Sequence, residues 1–402
     1  MNNRLQANKL ALLSSLYISQ YISLMFFVQA IPVFMREQGA SLESIGLIYL
    51  LALPILLKVL WSPFIDRYGY TRWGHYRFWI ITFQLLLAAV AAVCAFVSLQ
   101  SNFILLYGLL MVMSTLAASQ DIATDALAVG LLTPSERGWG NGIQMAGNYL
   151  GGMLGGGVML VLLNQLGWER SLFALALMVV VALVPILRHR EKLPPKKATD
   201  KATNVWLDLV HFYRRPGMWR WLMLLTLYVI GGNMAASMFR PLLVDVGLSL
   251  TDIGWLLGVV GNGASIFGAV VSGLLVVSLG RKRSLLVFGL FQILAILICL
   301  LPAAGVSNRP ILYFVIIVAG FASSAVFTVS STVMMDKSRL AMAGTEYTAQ
   351  TSMVYFGSFL AAGISGFIAS KIGYQGLFGV SAALALLAVI LISRVSLLAY
   401  EE

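Results

Sequence analysis

Apolar residues run through this chain in long unbroken blocks. Phe103 to Met113 reads FILLYGLLMVM, and comparable blocks recur from one end to the other. A helix needs about 20 largely apolar residues to cross a bilayer. The pattern predicts twelve spans, over residues 10–35, 44–64, 78–100, 103–132, 140–164, 170–188, 219–244, 251–279, 284–304, 310–335, 345–370 and 375–396. A membrane β-barrel would instead show segments of about 10 residues with strict alternation, which these blocks lack. The polar interruptions are short except for one. Residues 189–218 carry HREKLPPKK and then NVWLDLVHFYRRPG. The first part is a charged, Pro-containing linker. The second predicts a short interfacial helix with Trp206, Leu209, Val210 and Phe212 or Tyr213 on one side. This loop lies mid-chain. The expected fold is therefore an all-α membrane protein of twelve transmembrane helices, in one six-helix bundle over 1–188 and another over 219–402.

Composition agrees with that pattern. The 402 residues are 59% hydrophobic and 11% charged, against about 45–50% and 25% in soluble domains. A soluble enzyme, a nucleic-acid-binding domain and a disordered chain are excluded. The net charge of +11 is read through the bilayer, because Lys and Arg collect in cytoplasmic loops. With the N-terminus inside, 21 of the 27 Lys and Arg fall in inside segments, five lie at or near the outside, and Lys58 alone stays within a span. Both termini are expected in the cytoplasm. The apolar run after Lys9 exceeds a signal-peptide core and lacks a small-residue cleavage site, so it reads as a retained first span. Cys94 and Cys299, each in an apolar run, make neither a disulfide framework nor a metal motif.

The two halves repeat. Gly39-Ala-Ser-Leu-Glu-Ser-Ile-Gly46 matches Gly247-Leu-Ser-Leu-Thr-Asp-Ile-Gly254 at an offset of 208. Pro32 and Pro241 are 209 apart, and Gln144…Tyr149-Leu-Gly151 matches Gln350…Tyr355-Phe-Gly357 at 206. After the second span of each half, Ser62-Pro-Phe-Ile-Asp66-Arg67-Tyr-Gly69 corresponds to the stretch ending Val277-Ser-Leu-Gly280-Arg-Lys-Arg283, with Gly69 and Gly280 211 apart. Parallel six-span repeats joined by a basic loop describe a secondary transporter with its site between the halves.

These features resemble the major facilitator superfamily over the full chain. Ser62–Gly69 is a variant of that family's G-x-L-x-D-R-x-G loop, with Ser62 replacing the first Gly. Lys58-Val-Leu-Trp-Ser-Pro-Phe-Ile-Asp-Arg67 and Ser119-Gln-Asp-Ile-Ala-Thr-Asp-Ala126 resemble a narrower AmpG-like branch. It holds muropeptide permeases, acetyl-CoA transporters and siderophore importers of the RhtX and FptX type. The chain ends after twelve spans, without the additional C-terminal spans common in muropeptide permeases, which favours the siderophore importers. The resemblance implies that Asp66, with Arg67 and Gly69, acts in gating, Asp66 capping span eleven near Gly344-Thr345-Glu346. Glu346 is expected to weaken that attraction, since helix N-termini favour anions. With Val277 at the corresponding position of the second half, the latch is expected on one side only.

Asp121 and Asp125 lie one turn apart in span four and share a face. Intramembrane carboxylates are costly and usually face a cavity. Such a pair could exchange a proton or hold a cation. The alternative is solvation near the interface or retention by Ser and Thr neighbours. Lys58 lies at similar depth; it either snorkels to the surface or pairs with Asp121 or Asp125. These three are the proton-coupling candidates. Substrate-binding candidates are Tyr17, Gln20, Tyr21 and Gln29 on span one, Gln144 and Asn148 on span five, Tyr228, Asn233 and Arg240 on span seven, Asn262 on span eight and Tyr355 on span eleven. Each alone reads more readily as interhelical glue than as a ligand contact; as a set they suit a bulky, largely neutral ligand. Gly147, Gly151 and Gly155, with Gly152 and Gly156, form a small-xxx-small packing face on span five. His75, His189 and His211 lie in loops and no catalytic motif appears. The expected protein is a monomeric proton-coupled importer in the bacterial inner membrane, without cofactor, enzyme activity or nucleic-acid partner. A siderophore-type chelate is the expected cargo and an anhydro-muropeptide the alternative.

Overall fold

The computed structural model describes residues 2–39, 47–48, 50–69, 71–97, 102–191 and 205–395. Within the linker, residues 192–204 lie outside the described residues, as do 40–46 of the Gly39–Gly46 repeat and the first residues of the expected second span.

Among the described residues, nine helices are long and apolar enough to cross a membrane. Two of them, Arg137–Arg188 and Leu340–Arg394, are long enough for two crossings. Each is kinked at a glycine, Gly167 (φ 77°, ψ −178°) or Gly373 (φ 70°, ψ 176°). A side chain strongly disfavours that backbone conformation, so each glycine ends one span and begins the next. Divided there, and joined by the shorter apolar helix Leu50–Leu60, the helices make the twelve spans that the hydrophobic blocks predict. The two glycines are 206 positions apart (373 − 167), the offset at which Gln144 repeats as Gln350.

Span two departs from a continuous helix. It is built from a 3₁₀ turn at Leu50–Ala52, an α turn at Leu53–Leu57 and a second 3₁₀ turn at Lys58–Leu60, and the short helix Ser62–Arg67 carries the chain out of it. Pro54 and Pro63 each withhold a backbone donor, and proline fits only the first turn of a helix, so the span restarts at each. Lys58 sits in the turn between the two restarts. Span one, Gln6–Glu37, widens to a π-helix at Phe26–Ala30, just before Pro32. That π turn packs on another in span five, Met153–Val158. Small residues let two backbones approach where apolar side chains gain little by leaving lipid. A Cβ on Gly151 would come within 2.6 Å of the Ile18 carbonyl oxygen, and one on Gly155 would overlap the Ile22 carbonyl.

The chain forms two compact units. The first contains the described residues within Met1–Leu132, Gly147–Val210 and Ser338–Ser352; the second, those within Thr133–Ala146, His211–Lys337 and Met353–Glu402. Thus the start of span five belongs with helices of the second half, and the start of span eleven with helices of the first. These two segments also correspond at the repeat offset of about 206. In the first unit the buried core runs from Ile22, Phe26 and Phe27 to Leu172 and Leu175. In the second it gathers Phe239, Leu243, Ile296, Val315 and Phe378.

Candidate functional site

Span four, Phe103–Leu131, carries two carboxylates one turn apart. Asp125 is buried and Asp121 is 14% exposed. Lys58 reaches Asp121 from the broken span two and forms an ion pair with it. The Gln20 side-chain amide donates to the same carboxylate. On the next turn, the Tyr17 hydroxyl donates to Asp125 Oδ1 at 3.0 Å. Tyr17 and Gln20 are three apart on span one, so one face of that helix serves both acids. Around them, Trp61 Nε1 donates to Ser119 Oγ at 3.0 Å, and Ser19 Oγ accepts from Gln84 Nε2 at 2.8 Å. All these residues belong to the first unit. The lysine is 1% exposed, so snorkelling to the surface does not describe its position. Removing a lysine charge from water is expensive, and the facing carboxylate offsets it.

The other sequence-predicted residues lie apart from this cluster or alongside it. Tyr21 is half-buried beside Tyr17, and Gln29 is exposed, its amide against Met25 Sδ at 3.2 Å. Gln144 is buried. Asn148 is half-buried, with its side-chain oxygen unbonded among the described residues. In the second unit, Tyr228 donates to the Leu285 carbonyl at 2.8 Å and Asn233 to Ser358 Oγ at 2.5 Å, both joining helices. Asn262 bonds its own helix at the Gly258 carbonyl, 2.9 Å. Tyr355 is half-buried and Arg240 exposed.

Asp66 stands just past the end of span two, 4% exposed. It accepts from the backbone N–H of Gly344 at 3.0 Å and of Thr345 at 2.6 Å, and from the Tyr76 hydroxyl at 2.7 Å. These are free donors in the first turn of span eleven, where an anion is favoured. Burial pushes the Asp66 carboxyl up to about 6, while hydrogen bonds from Thr345, Tyr76 and Gly344 act against that rise. Glu346 does not oppose the arrangement as the sequence suggested. Its carboxylate is bound by Arg339, through Nε at 2.6 Å and the backbone N–H at 2.8 Å, so a cation offsets its charge. Arg67 is half-buried. Gly69 has φ 105° and lies flat against Trp79: a Cβ there would come within 2.5 Å of the indole nitrogen. That nitrogen in turn donates to the Tyr68 carbonyl at 2.7 Å.

Three features went unread in the sequence. Glu191 accepts from the backbone N–H of His75, Tyr76 and Arg77 at 2.8–3.2 Å, capping the helix Tyr76–Ala95. Asp336 closes span ten and is held by Arg137 at 2.9 Å and Arg281 at 2.7 Å; Arg281 also donates to the Pro134 carbonyl. The second unit thus holds its span ends by an ion triad where Val277 offers no carboxylate. Arg137 had counted only as a loop charge; its neighbour Asp336 carried the signal, a lone acid ending an apolar span. Tyr347 is wholly buried two residues beyond Thr345.

A model of the Major Facilitator Superfamily matches residues 13–362 and 245–400. The chain belongs to the major facilitator superfamily. It is 31% identical over 263 residues to the anhydromuropeptide permease of Escherichia coli K12, an alignment covering 64% of this chain and 53% of that protein; the chain thus spans about half the length of that relative. It is 25% identical over 376 residues to the putative transporter AmpG 3 of Rickettsia prowazekii, covering 89% of this chain and 88% of that one. Among solved structures, the transporter FucP in its outward conformation superposes with a TM-score of 0.72 over 96% of this chain and 99% of its own, at 14% identity. That likeness establishes the fold, a twelve-helix architecture. The chain is a multi-pass membrane protein similar to the AmpG-like branch of that superfamily.

Proposed function

We propose that this transporter imports muropeptide-class substrates across a bacterial inner membrane by alternating access, driven by protons through Asp121 and Asp125. The substrate class is supported by the 31% identity to anhydromuropeptide permease. The siderophore-type chelate favoured on sequence rested on chain length. The identity to anhydromuropeptide permease weighs more than length and favours the muropeptide.

The observation that carries the mechanism is the buried Lys58–Asp121 pair with Asp125 one turn away. One lysine offsets one of two carboxylate charges. A proton on the second acid leaves the cluster neutral, and its loss leaves a buried negative charge that only a rearrangement can solvate. Asp66, Arg67 and Gly69 are proposed to gate. Tyr21, Gln29, Gln144, Asn148, Tyr228, Asn233, Arg240, Asn262 and Tyr355 are the proposed substrate contacts. The halves 1–188 and 219–402 are proposed to move against one another, with both termini in the cytoplasm as the Lys and Arg bias indicates.

Uptake of labelled anhydro-muropeptide into vesicles, with and without a proton uncoupler, is the deciding experiment. Uncoupler-sensitive accumulation that disappears in Asp121→Asn or Asp125→Asn is expected. Uptake of a ferric chelate and not of muropeptide would sink the substrate assignment, and full accumulation by the double Asp→Asn variant would sink the coupling. For orientation, an impermeant thiol reagent should reach Asn308→Cys from outside intact cells and miss Lys282→Cys.

A further inference from the structure

Three buried side-chain oxygens on the helices around the acid pair have no hydrogen-bond partner among the described residues. They are Gln20 Oε1 on span one, Gln84 Oε1 on span three and Thr124 Oγ1 on span four, and none of the three residues is more than 7% exposed. Ser19 Oγ accepts from Gln84 Nε2 at 2.8 Å and from Gln120 Nε2 at 3.5 Å, so spans one, three and four meet at one hydroxyl. The next residue, Gln20, donates to Asp121 and keeps its own oxygen unbonded. Thr124 is four positions from Gln120 and three from Asp121, which makes it a neighbour of both on the surface of span four. Native proteins leave few buried polar atoms unpaired. A buried polar site without protein partners is satisfied by water, which makes about three hydrogen bonds there.

The internal repeat isolates what the acids add. At the offset of 208, Gln84 becomes Gln292, Gln120 becomes Thr328 and Thr124 becomes Thr332, whereas Asp121 and Asp125 become Val329 and Val333. Gln292 Oε1 and Thr328 Oγ1 are likewise buried without a partner among the described residues. Each half therefore keeps the polar side chains, and only the first half sets carboxylates beside them.

We propose that Gln20, Gln84 and Thr124 hold water beside the acid pair, and that this water carries the proton between Asp125 and Asp121, with Gln84 and Thr124 as its positioning residues. This rests on the proton-coupled reading above. Asp125 is 2% exposed and Asp121 14%, so Asp121 meets solvent and Asp125 exchanges through it. In the transfer, the O–H bond of protonated Asp125 breaks and its proton goes to the water oxygen. That water passes one of its own protons to the Asp121 carboxylate and is regenerated. Protonated Asp121 no longer carries the charge that holds Lys58, so the ion pair joining spans two and four is released. The charged and titratable groups on the elements packed against this stretch are Tyr17 and Tyr21 on span one, Lys58 and Asp66 at span two, and Glu346 and Tyr347 at the start of span eleven, where Gly344 lies against Ile122. Span three offers the Gln84 amide.

The test follows carboxyl protonation in the full chain, in liposome films without substrate. Infrared difference spectra after a pH jump show the C=O band of each protonated acid, and the Asp125 band is the one missing from Asp125→Asn. A water O–H band that shifts in ¹⁸O-labelled water should accompany it. Gln84→Met and Thr124→Val nearly keep side-chain size and remove the oxygen. Each should slow the Asp125 band about tenfold or more and remove the water band, and Thr124→Ser, which keeps the hydroxyl, should retain the wild-type rate. Gln292→Met and Thr328→Val make the same changes in the half without acids and should leave the Asp125 band as it is. Wild-type kinetics in Thr124→Val, or a water band that survives it, overturns the proposal. So does equal slowing by Gln292→Met, or the absence of any titrating Asp125 band. Should Gln84→Met fail to give monodisperse protein, the Thr124→Val and Thr124→Ser comparison decides. The transport reading fails separately, if an uncoupler leaves muropeptide accumulation unchanged.

Discussion

Lys58 is ion-paired with Asp121 while the lysine side chain is only 1% exposed. The pair therefore holds span two to span four at a depth where neither charge can be left alone. Breaking a buried pair by removing one partner destabilises by about 3–5 kcal/mol, whereas removing both is far milder. Lys58→Met should lower the thermal transition in detergent strongly, and Lys58→Met with Asp121→Asn should recover much of the loss. A double variant no more stable than the single one would show that the pair carries no such role.

Asp66 and His75 give the stability a pH dependence with opposite signs. Burial raises the Asp66 carboxyl from 3.8 to about 6, so its ionised form is disfavoured in the folded chain. The contribution of Asp66 is greatest below pH 4 and is lost as pH rises from 4 to 6. Burial lowers His75 from 6.5 to about 4. Its contribution is complete above pH 6.5 and is lost as pH falls from 6.5 to 4. Between pH 7 and 5, Asp66→Asn should therefore lose more thermal stability on acidification than the wild type, because it lacks the offsetting gain. Parallel pH profiles for the two proteins would contradict the assignment.

Arg137 and Arg281 converge on Asp336 in the second unit, with the three side chains 11–26% exposed. Hydrogen bonds to charged groups contribute about 1.5–3 kcal/mol each. Asp336→Asn should cost about that much in stability and leave two cations facing one another. Replacing Arg281 by Gln as well should relieve part of the cost, as should Arg137→Gln. The check is chemical or thermal unfolding of the three variants; a neutral Asp336→Asn rules the triad out as a clasp.

Gly69 and Gly280 are repeat partners with φ 105° and 78°, yet their surroundings differ. A Cβ at Gly69 meets the Trp79 ring, whereas at Gly280 it meets nothing within 4 Å. Backbone strain alone costs on the order of 1–3 kcal/mol. Gly280→Ala should show that cost only, and Gly69→Ala a larger one, read as the yield of monodisperse protein and its transition temperature. Equal effects would place the whole penalty in the backbone.

The twelve spans were legible along the chain because the bilayer demands a run of apolar residues whatever the tertiary packing. Lys58, Asp121 and Asp125 stood out for the same reason: a charge inside an apolar run has no solvent, and so must have a partner. Which partner was a separate matter. Lys58 could equally have snorkelled, until the turns around Pro54 and Pro63 placed it against Asp121. Glu346 looked like an obstacle to Asp66, because one dimension shows only that the two acids share a helix end. Arg339 offsets its charge through a contact that depends on the fold of residues 339–346. Tyr347 and Glu191 left no local signature, since hydroxyls and charges at span ends are common, and Asp336 stood out as a lone acid ending an apolar span without naming its partners Arg137 and Arg281. Tertiary structure decided Tyr347 and the triad by bringing the starts of spans five and eleven among helices of the opposite half, and Glu191 by folding the end of span six back on the start of span three. Hydropathy is a property of each segment by itself, whereas a hydrogen bond or ion pair between residues some 280 positions apart exists only once the backbone has placed both ends.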